Sequence, residues 1–314
     1  MPISTKLFNE QAIRGIARLS EQANTFQEQI ATGKKDLRPS QDPVSAARLS
    51  SIKEIEADLR RFTDNLGVAK TRLGLADQVL GSIQSILIRA NELAIQGANA
   101  TNSETDRQAI RAEIDQLRES LIGLANTVDD RGQALFGGYV MRESPFIQEK
   151  SGAVRYEGDS GQTTVLASDR LMILTGISGA DAFMRVASDD GPVSIFSIFS
   201  GLSAALDTAD QATAAARVLA DADQGIGAAI GQLRSGIEHI GLQRARIGAQ
   251  YNAADIQSEA LARKELLLAE TRSGIEDADI AEVISKLQSL LVNRDAAQQV
   301  FAKLSQQSLF DYLR

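Results

Sequence analysis

The residues from Ile52 to Ala94 read IKEIEADLRRFTDNLGVAKTRLGLADQVLGSIQSILIRANELA. Apolar residues recur there at alternating steps of three and four, at Ile52, Ile55, Leu59, Phe62, Leu66, Ala69, Leu73, Ala76, Leu80, Ile83, Leu87, Ala90 and Ala94. This alternation averages about 3.5 residues, which keeps one face of a helix against a partner as both supercoil. At about 1.5 Å per residue, the stretch predicts a helix of roughly 60 Å in a coiled-coil bundle. An ordinary bundle helix is the alternative, although such helices seldom hold strict heptads this long.

Shorter helices are predicted on both sides of this stretch. An N-terminal helix shows the same spacing at Ala12, Ile16, Leu19, Ala23, Phe26 and Ile30. It should end at Gly33, because glycine is a common helix terminator. Asp42 can then cap the long helix, with Pro43 at its first position. Ser103 begins the next helix, with Asp106 completing a variant capping box. The short turn between these two helices predicts antiparallel packing.

A second long helix is predicted in the C-terminal half of the chain. Apolar residues hold the same step from Ile226 to Leu268, with polar interruptions late in the stretch, and Gly274 is predicted to break the helix. A last helix follows Glu276, with one apolar face formed by Val283, Leu287, Leu290, Ala297, Phe301 and Leu304.

The character of the sequence changes between these helical halves. Glycines cluster from about residue 133 to 192, and β-prone runs occur at Ala153–Tyr156, Thr163–Leu166 and Leu171–Thr175. These features predict a small β-rich insertion.

The predicted fold class is therefore mainly α. We expect an elongated antiparallel coiled-coil helical bundle with paired terminal helices and a small β-rich insertion. The predicted domains are the terminal helices as an inner assembly domain (1–42 and 276–314), the long-helix bundle (43–132 and 193–275) and the insertion (133–192).

The terminal helices are predicted to carry the assembly interface. Each terminal helix is amphipathic, and the only helix predicted to pack against it is the other terminal helix. A single amphipathic helix is not stable in water. We therefore expect both ends to be disordered in the monomer and to fold when subunits assemble. The predicted interface residues are Ile16, Leu19, Phe26, Ile30, Leu287, Leu290, Phe301, Leu304, Leu309 and Phe310. Leu59 and Phe62, in contrast, should belong to the core of the monomer.

Composition excludes several classes of function. The chain has 314 residues, a net charge of −8 and no cysteine, so it forms neither disulfides nor thiolate metal sites. The negative charge opposes nucleic-acid binding, which depends on neutralising phosphates. No apolar run reaches the ~18 residues needed to cross a bilayer, so no membrane insertion is expected. The first residues lack the pattern of a cleaved secretory signal, which predicts a cytoplasmic protein or export by another route.

No group of residues predicts catalysis, a cofactor or a metal site. His239 is the only histidine, which rules out the zinc motif H-E-x-x-H, and a structural or solvent-facing role is expected for it. Asp221 and Asp223 begin like a calcium loop but lack the remaining ligands. The acidic pairs Asp129-Asp130 and Asp189-Asp190 are expected to be solvated. The sequence thus predicts a protein that is not an enzyme. The alternative from another functional class is a cytoplasmic coiled-coil enzyme or regulator that has a ligand site in the insertion.

Several short motifs carry a resemblance to a known family. They are Ile3-Ser4-Thr5, Thr32-Gly33-Lys34, Ser40-Gln41-Asp42-Pro43, Phe136-Gly137-Gly138-Tyr139, Pro145-Phe146, Glu276-Asp277-Ala278-Asp279 and Ser308-Leu309-Phe310-Asp311-Tyr312-Leu313. With these motifs the chain resembles the flagellin superfamily of axial proteins, and within it the branch that forms the hook–filament junction. The resemblance covers the whole helical frame and the insertion only loosely.

The resemblance implies a secreted structural subunit of the bacterial flagellum, exported unfolded through the flagellar type III apparatus. Such a subunit is extracellular and forms an adaptor ring that joins the hook to the filament. The implied partners are hook-associated protein 1, flagellin, further copies of the chain in the ring, and a cytoplasmic export chaperone that holds the C-terminal helix. The alternative within the family is flagellin itself, the main filament subunit.

Overall fold

A computed structural model describes residues 2–35, 39–40, 42–99, 102–140, 144–188, 191–211 and 216–312. The helices in these ranges are α1 (Pro2–Thr32), α2 (Pro43–Gly97), α3 (Glu104–Ala125), α4 (Gly179–Phe183), α5 (Ile195–Gln211), α6 (Ala216–Glu276) and α7 (Ile280–Tyr312). The prediction of a mainly α protein is confirmed. The predicted break at Gly274 is slightly early, since α6 continues to Glu276.

The β-strands of the described residues form two antiparallel hairpins. They pair β1 (Phe146–Gln148) with β2 (Val154–Tyr156), and β3 (Thr164–Leu166) with β4 (Met172–Leu174). The three predicted β-prone runs are confirmed as β2, β3 and β4. Strand β1 was not predicted, because its three residues follow Pro145 and show no alternation of polar and apolar side chains.

The helix starts follow the predicted capping chemistry. The carboxylate of Asp42 accepts a hydrogen bond from the backbone N–H of Ser45 at 2.9 Å, and α2 begins at Pro43. This bond holds the pKa of Asp42 below its ordinary value, because it favours the charged carboxylate. The cap is therefore fully formed above the unfolded-state pKa and is lost as the pH falls through the folded-state value. At α3, Ser103 and Asp106 form the predicted capping box.

The chain divides into two compact units. Unit 1 contains residues 1–58 and 263–314, and unit 2 contains residues 59–262. Both boundaries fall inside the long helices α2 and α6. The three-part domain division made from the sequence remains a prediction.

The core of unit 2 is built on the heptad stripe of α2. Leu73, Leu80, Ile83 and Leu87 are at most 1% exposed and belong to one continuous apolar cluster with residues of α3, α5 and α6. Ion pairs link α2 to α6, from Lys70 to Asp255 and from Asp77 to Arg244. The partner number in α6 falls as the number in α2 rises, so the two helices are antiparallel, as predicted.

Five aromatic rings form a second part of this core, where the insertion contacts α5. Phe183 lies at its centre, with ring centroids 4.9 Å from Phe136, 5.4 Å from Phe146 and 6.3 Å from Phe196. Tyr156 contacts Phe146 at 4.9 Å. The geometries are edge-on or tilted, as aromatic quadrupoles prefer. Since the insertion supplies all these rings except Phe196, it shares the core of unit 2.

Arg118 of α3 and Asn126, the residue that caps the C-terminal end of this helix, attach the first hairpin to the bundle. The amide of Asn126 donates to the carbonyl of Phe146 at 2.8 Å, and its oxygen accepts from the N–H of the same residue at 2.9 Å. Arg118, 8% exposed, donates to the carbonyl of Gly152 in the turn between β1 and β2. Both ends of this hairpin are therefore fixed to α3.

One expectation about acidic residues is wrong. The Asp129 side chain is only 10% exposed and forms an ion pair with Arg72 of α2. Its other oxygen accepts from the backbone N–H groups of Arg131 and Gln133, at 3.0 and 2.9 Å. Arg72 also donates to the carbonyl of Ala134 at 2.7 Å. Asp129 therefore fixes the start of the insertion on α2. Its neighbour Asp130 is exposed, as predicted, and Asp189-Asp190 lies outside the described residues.

Replacing Leu59 by alanine is expected to lower the free energy of unfolding by about 2–5 kcal/mol, the usual cost of truncating a buried leucine. Leu59 is 3% exposed and Phe62 is 4% exposed, which confirms that both are buried. Urea unfolding followed by circular dichroism measures the change. The matched control is Arg60→Ala at the exposed neighbouring position, which should stay within about 0.5 kcal/mol of the unaltered chain. Equal losses in both variants would contradict the prediction.

Candidate assembly interface

The terminal helices α1 and α7 pack against each other within unit 1. Nevertheless, among the described side chains of the two helices, only Ala23 and Val283 are buried, at 3% and 7% exposure. The pair therefore fully buries few of its described apolar side chains.

Some of the predicted interface residues lie in grooves that α1 and α7 share, and we call the contact between these helices the seam. Ile16, Leu19, Phe26, Ile30, Leu287, Leu290 and Phe301 are all half-buried. Ile16 and Leu19 of α1 share a groove with Ala297 of α7. Phe26 shares a second groove with Leu290. The structure thus brings predicted residues from both ends of the sequence together within one chain.

Some predicted positions cannot be located at the level of side chains. The backbone of α7 includes Leu304, Leu309 and Phe310, but their side chains lie outside the part of the chain that the structure describes. The same holds for Asp221 and Asp223 in α6.

Sequence reasoning missed a second set of apolar residues on the outer surfaces of unit 1. They lie off the seam and include Leu7 (53% exposed), Ile13 (57%), Ile284 (40%), Val292 (68%) and Val300 (56%). Leu266 and Leu267 of α6 are 73% and 62% exposed. The sequence alone could have indicated these residues, because each is an apolar residue outside the heptad stripe of its helix. These exposed side chains are candidates for contacts with other subunits.

The connections at the base of α1 and α7 are joined to each other. Lys34 and Asp277 form an antiparallel β-bridge. We call residues 33–35 and 276–278 the clasp. Its backbone hydrogen bonds run from the N–H of Lys35 to the carbonyl of Glu276 at 2.7 Å, and from the N–H of Ala278 to the carbonyl of Gly33 at 2.8 Å. Gly33 has a φ of +71°, which lets the chain leave α1 and turn into the bridge.

The lone histidine has a structural role, as predicted. Nε2 of His239 lies 2.8 Å from the carbonyl oxygen of Asp181 and therefore donates to it. Gln243, one turn further along α6, is 2% exposed and lies 3.4 Å from the same carbonyl. These contacts attach α4 to α6. Within the described residues, no three potential metal ligands cluster, and no helix has the length and apolarity needed to span a membrane.

Two sequence models match this chain, one at each end. The model of the bacterial flagellin N-terminal helical region matches residues 3–141, and that of the bacterial flagellin C-terminal helical region matches residues 224–313. Together they cover more than two thirds of the chain. The chain belongs to the flagellin family.

Relatives within this family match almost the whole chain. Flagellar hook-associated protein 3 of Escherichia coli K12 is 26% identical over 325 residues, which cover 99% of each protein. A flagellin of Listeria monocytogenes is 26% identical over 294 residues, covering 91% of this chain and 90% of the relative. The solved structure of flagellar hook-associated protein-3 from Legionella pneumophila superposes with a TM-score of 0.66 at 18% identity. That superposition covers 72% of this chain and 98% of the other, and it shows the same fold.

The Phe136-Gly137-Gly138-Tyr139 motif has a physical explanation in this member of the flagellin family. Gly138 has a φ of +72°, and a Cβ there would lie 2.0 Å from Oδ1 of Asp159. That carboxylate oxygen accepts from the N–H of Tyr139 at 2.8 Å. The hydroxyl of Tyr156 donates to the carbonyl of Phe136 at 2.9 Å. The motif therefore binds the loop after β2, and glycine is required where the two segments approach most closely.

Proposed function

We propose that this chain is a structural subunit of the bacterial flagellum that forms an adaptor ring between hook and filament. The observation that carries the proposal is the alignment with flagellar hook-associated protein 3, which covers 99% of both proteins. Asp42-Pro43 and the Phe136–Tyr139 motif, two of the motifs that carry the resemblance, are similar to junction proteins and support the same assignment.

The partners follow from this role. The ring joins further copies of this chain, with hook-associated protein 1 on the hook side and flagellin on the filament side. The exposed apolar residues of α1 and α7 support such contacts, since apolar surface of this kind is expected to be covered by other subunits. An export chaperone holds the C-terminal helix before the chain is secreted to the cell exterior. No enzymatic activity is part of the proposal, and the engagement of His239 with the Asp181 carbonyl supports a structural role for the only histidine.

The second candidate is flagellin, the main filament subunit. The similarity to the Listeria monocytogenes flagellin over 91% of this chain favours it. The two candidates differ in how the purified chain behaves, because flagellin should extend seeded filaments without other proteins. A junction subunit should add to hook ends and stop after forming a ring.

Deleting the gene in its source bacterium tests the proposal. We expect cells that carry hooks without filaments and that release soluble flagellin into the medium. Electron microscopy and immunoblotting of the medium measure the two effects, and a plasmid copy of the gene should reverse both. Cells with normal filaments would contradict the junction role. Cells without flagellin, in which a plasmid copy restores long filaments built from this chain, would support the second candidate.

A further inference from the structure

We propose that Arg244 sets the register in which α2 and α6 pair inside unit 2, by selecting one of the alignments that the leucines of α2 allow. A wrong register would misplace every contact between these two helices. The choice of register belongs to the folding of unit 2, so it does not depend on which flagellar structure takes up the chain.

The apolar stripe of α2 repeats so regularly that one of its rows does not define a register. Leucine occupies every seventh position of this row, and each of these leucines is at most 3% exposed: Leu59, Leu66, Leu73, Leu80 and Leu87. Glycine recurs at the same interval beside the row, at Gly67, Gly74 and Gly81. A shift of α6 by seven residues would therefore meet the same kinds of residue. In coiled coils, a single polar residue in the stripe can specify the register.

Arg244 is such a polar residue in the stripe of α6. Its apolar neighbours in the stripe, Ile240 and Ile247, are 0% and 1% exposed. The guanidinium of Arg244 packs over Gly81 of α2, where a Cβ would lie 3.5 Å from Cζ of the arginine. An alanine would therefore fit at residue 81, whereas a larger side chain would take the space that the guanidinium occupies.

Hydrogen bonds on both sides of Gly81 hold the guanidinium in this position. Nε and Nη2 of Arg244 donate to the two carboxylate oxygens of Asp77 at 2.9 and 3.2 Å, which fixes direction as well as distance. Nη1 donates to Oε1 of Gln84 at 3.0 Å. The Arg244 and Asp77 side chains are 37% and 42% exposed, and an ion pair this exposed adds little stability. Its contribution is therefore the choice between registers.

A shift of one heptad towards the start of α2 is disfavoured by charge. Gly74 would then face Arg244, so the guanidinium would again meet a glycine. However, Lys70 would take the place of Asp77, and Asp77 would take the place of the amide on the other side. Arg244 would lie beside a second cation, and Lys70 would lose its ion pair with Asp255. Charge, and not space, separates this register from the observed one.

The opposite shift is disfavoured by both shape and charge. It would place the branched side chain of Ile88 against Arg244, where the observed register has a glycine. Gln84 would replace the carboxylate on one side, and Asn91 would stand on the other. Of the three registers, the observed one alone gives Arg244 a glycine to lie against and a carboxylate without a neighbouring cation.

Moving the partners of Arg244 along α2 tests this proposal. Lys70→Asp combined with Asp77→Gln rebuilds the sequence of carboxylate, glycine and amide one heptad earlier, around Gly74; we call this double variant the transplanted site. Arg244 should then favour the shifted register, in which α6 moves by about 10 Å along α2, since a helix rises about 1.5 Å per residue.

Pulsed electron paramagnetic resonance on the full-length chain measures the shift. Nitroxide labels are attached through Gln96→Cys in α2 and Ala249→Cys in α6, two exposed positions, in a chain that contains no other cysteine. The otherwise unaltered chain should give a single distance. The transplanted site should give a second distance that is about 10 Å longer, because the shift moves residue 249 away from residue 96 at about 1.5 Å per residue.

Asp77→Gln alone is the matched control. It removes the same carboxylate but keeps Lys70, which would repel Arg244 in the shifted register, so the single distance of the unaltered chain should remain. A second pair of variants changes shape without moving a charge. Gly81→Leu fills the space of the guanidinium and should produce the longer distance, because Gly74 still offers a place for Arg244. Gly81→Ala fits beside the guanidinium and should keep the original distance.

The proposal would be overturned by a folded transplanted site, as judged by circular dichroism, that shows only the original distance. The original distance alone in Gly81→Leu would overturn it whether or not the transplanted site folds. Appearance of the longer distance in Asp77→Gln or Gly81→Ala would also overturn it, because these variants leave the shifted register no better suited to Arg244.

Discussion

Replacing Phe183 by alanine is expected to lower the free energy of unfolding of unit 2 by about 3–5 kcal/mol. Its ring is fully buried and lies between those of Phe136 and Phe146. The truncation leaves a cavity at the point where the insertion, α4 and α5 meet, and tightly packed neighbours fill such space only in part. Urea unfolding followed by circular dichroism measures the loss.

The matched control for this variant is Met172→Ala. Met172 is a large apolar residue of the same insertion, but it is 63% exposed, so its truncation should have little effect on stability. Truncating a phenylalanine at the centre of a core usually costs about 3–5 kcal/mol. A loss of stability below about 1 kcal/mol for Phe183→Ala would therefore contradict the central role of this ring.

Replacing Phe26 by aspartate is expected to abolish incorporation into the flagellum. The substitution places a charge in the seam between α1 and α7, where Phe26 shares a groove with Leu290. Burying an unpaired carboxylate is strongly unfavourable, so the two helices should no longer pair. Unit 2 does not contain this residue, and its melting temperature should remain unchanged.

Complementation of the deletion strain measures this effect. We expect filament-bearing cells to fall to the level of the empty vector, with soluble flagellin in the medium. Gln27→Asp introduces the same charge at the neighbouring exposed position and should support normal filaments. Normal filaments with Phe26→Asp, or a clear fall in the melting temperature of unit 2, would contradict the separation between assembly and core residues.

The helical part of the fold was predictable because its signals are local and repeated. The heptad stripe of α2, the cap at Asp42 and the capping box at Ser103 can each be read within a few residues, and the structure confirms all of them. Strand β1 could not be predicted in this way. Its place depends on Asn126, which binds both backbone groups of Phe146 from the end of α3.

The burial of Asp129 also could not be predicted from the local sequence. From its neighbours alone it resembles a solvated turn residue, and the partner that buries it is Arg72, more than fifty residues earlier in α2. A charge pattern within one segment does not reveal such a partner. The ring cluster around Phe183 was missed for the same reason, since its members come from segments that are distant in sequence.

The assembly residues were predicted by periodicity, and the structure places Ile16, Leu19, Phe26 and Leu290 among them in grooves shared by α1 and α7. Periodicity identifies the face of a helix that contacts its nearest partner. It does not identify the outward residues such as Ile13 and Val292, which are apolar although they lie off the stripe. For a chain that assembles, exposed apolar residues outside the heptad pattern are therefore a second signal to examine.

The shared ring cluster limits how this protein can be engineered. Exchanging the whole insertion for a foreign peptide would remove Phe136, Phe146, Tyr156 and Phe183 from the core. A graft should instead extend an existing turn. Lys150 and Ser151 are both exposed at the tip of the first hairpin, so a peptide placed between them would leave every ring in position.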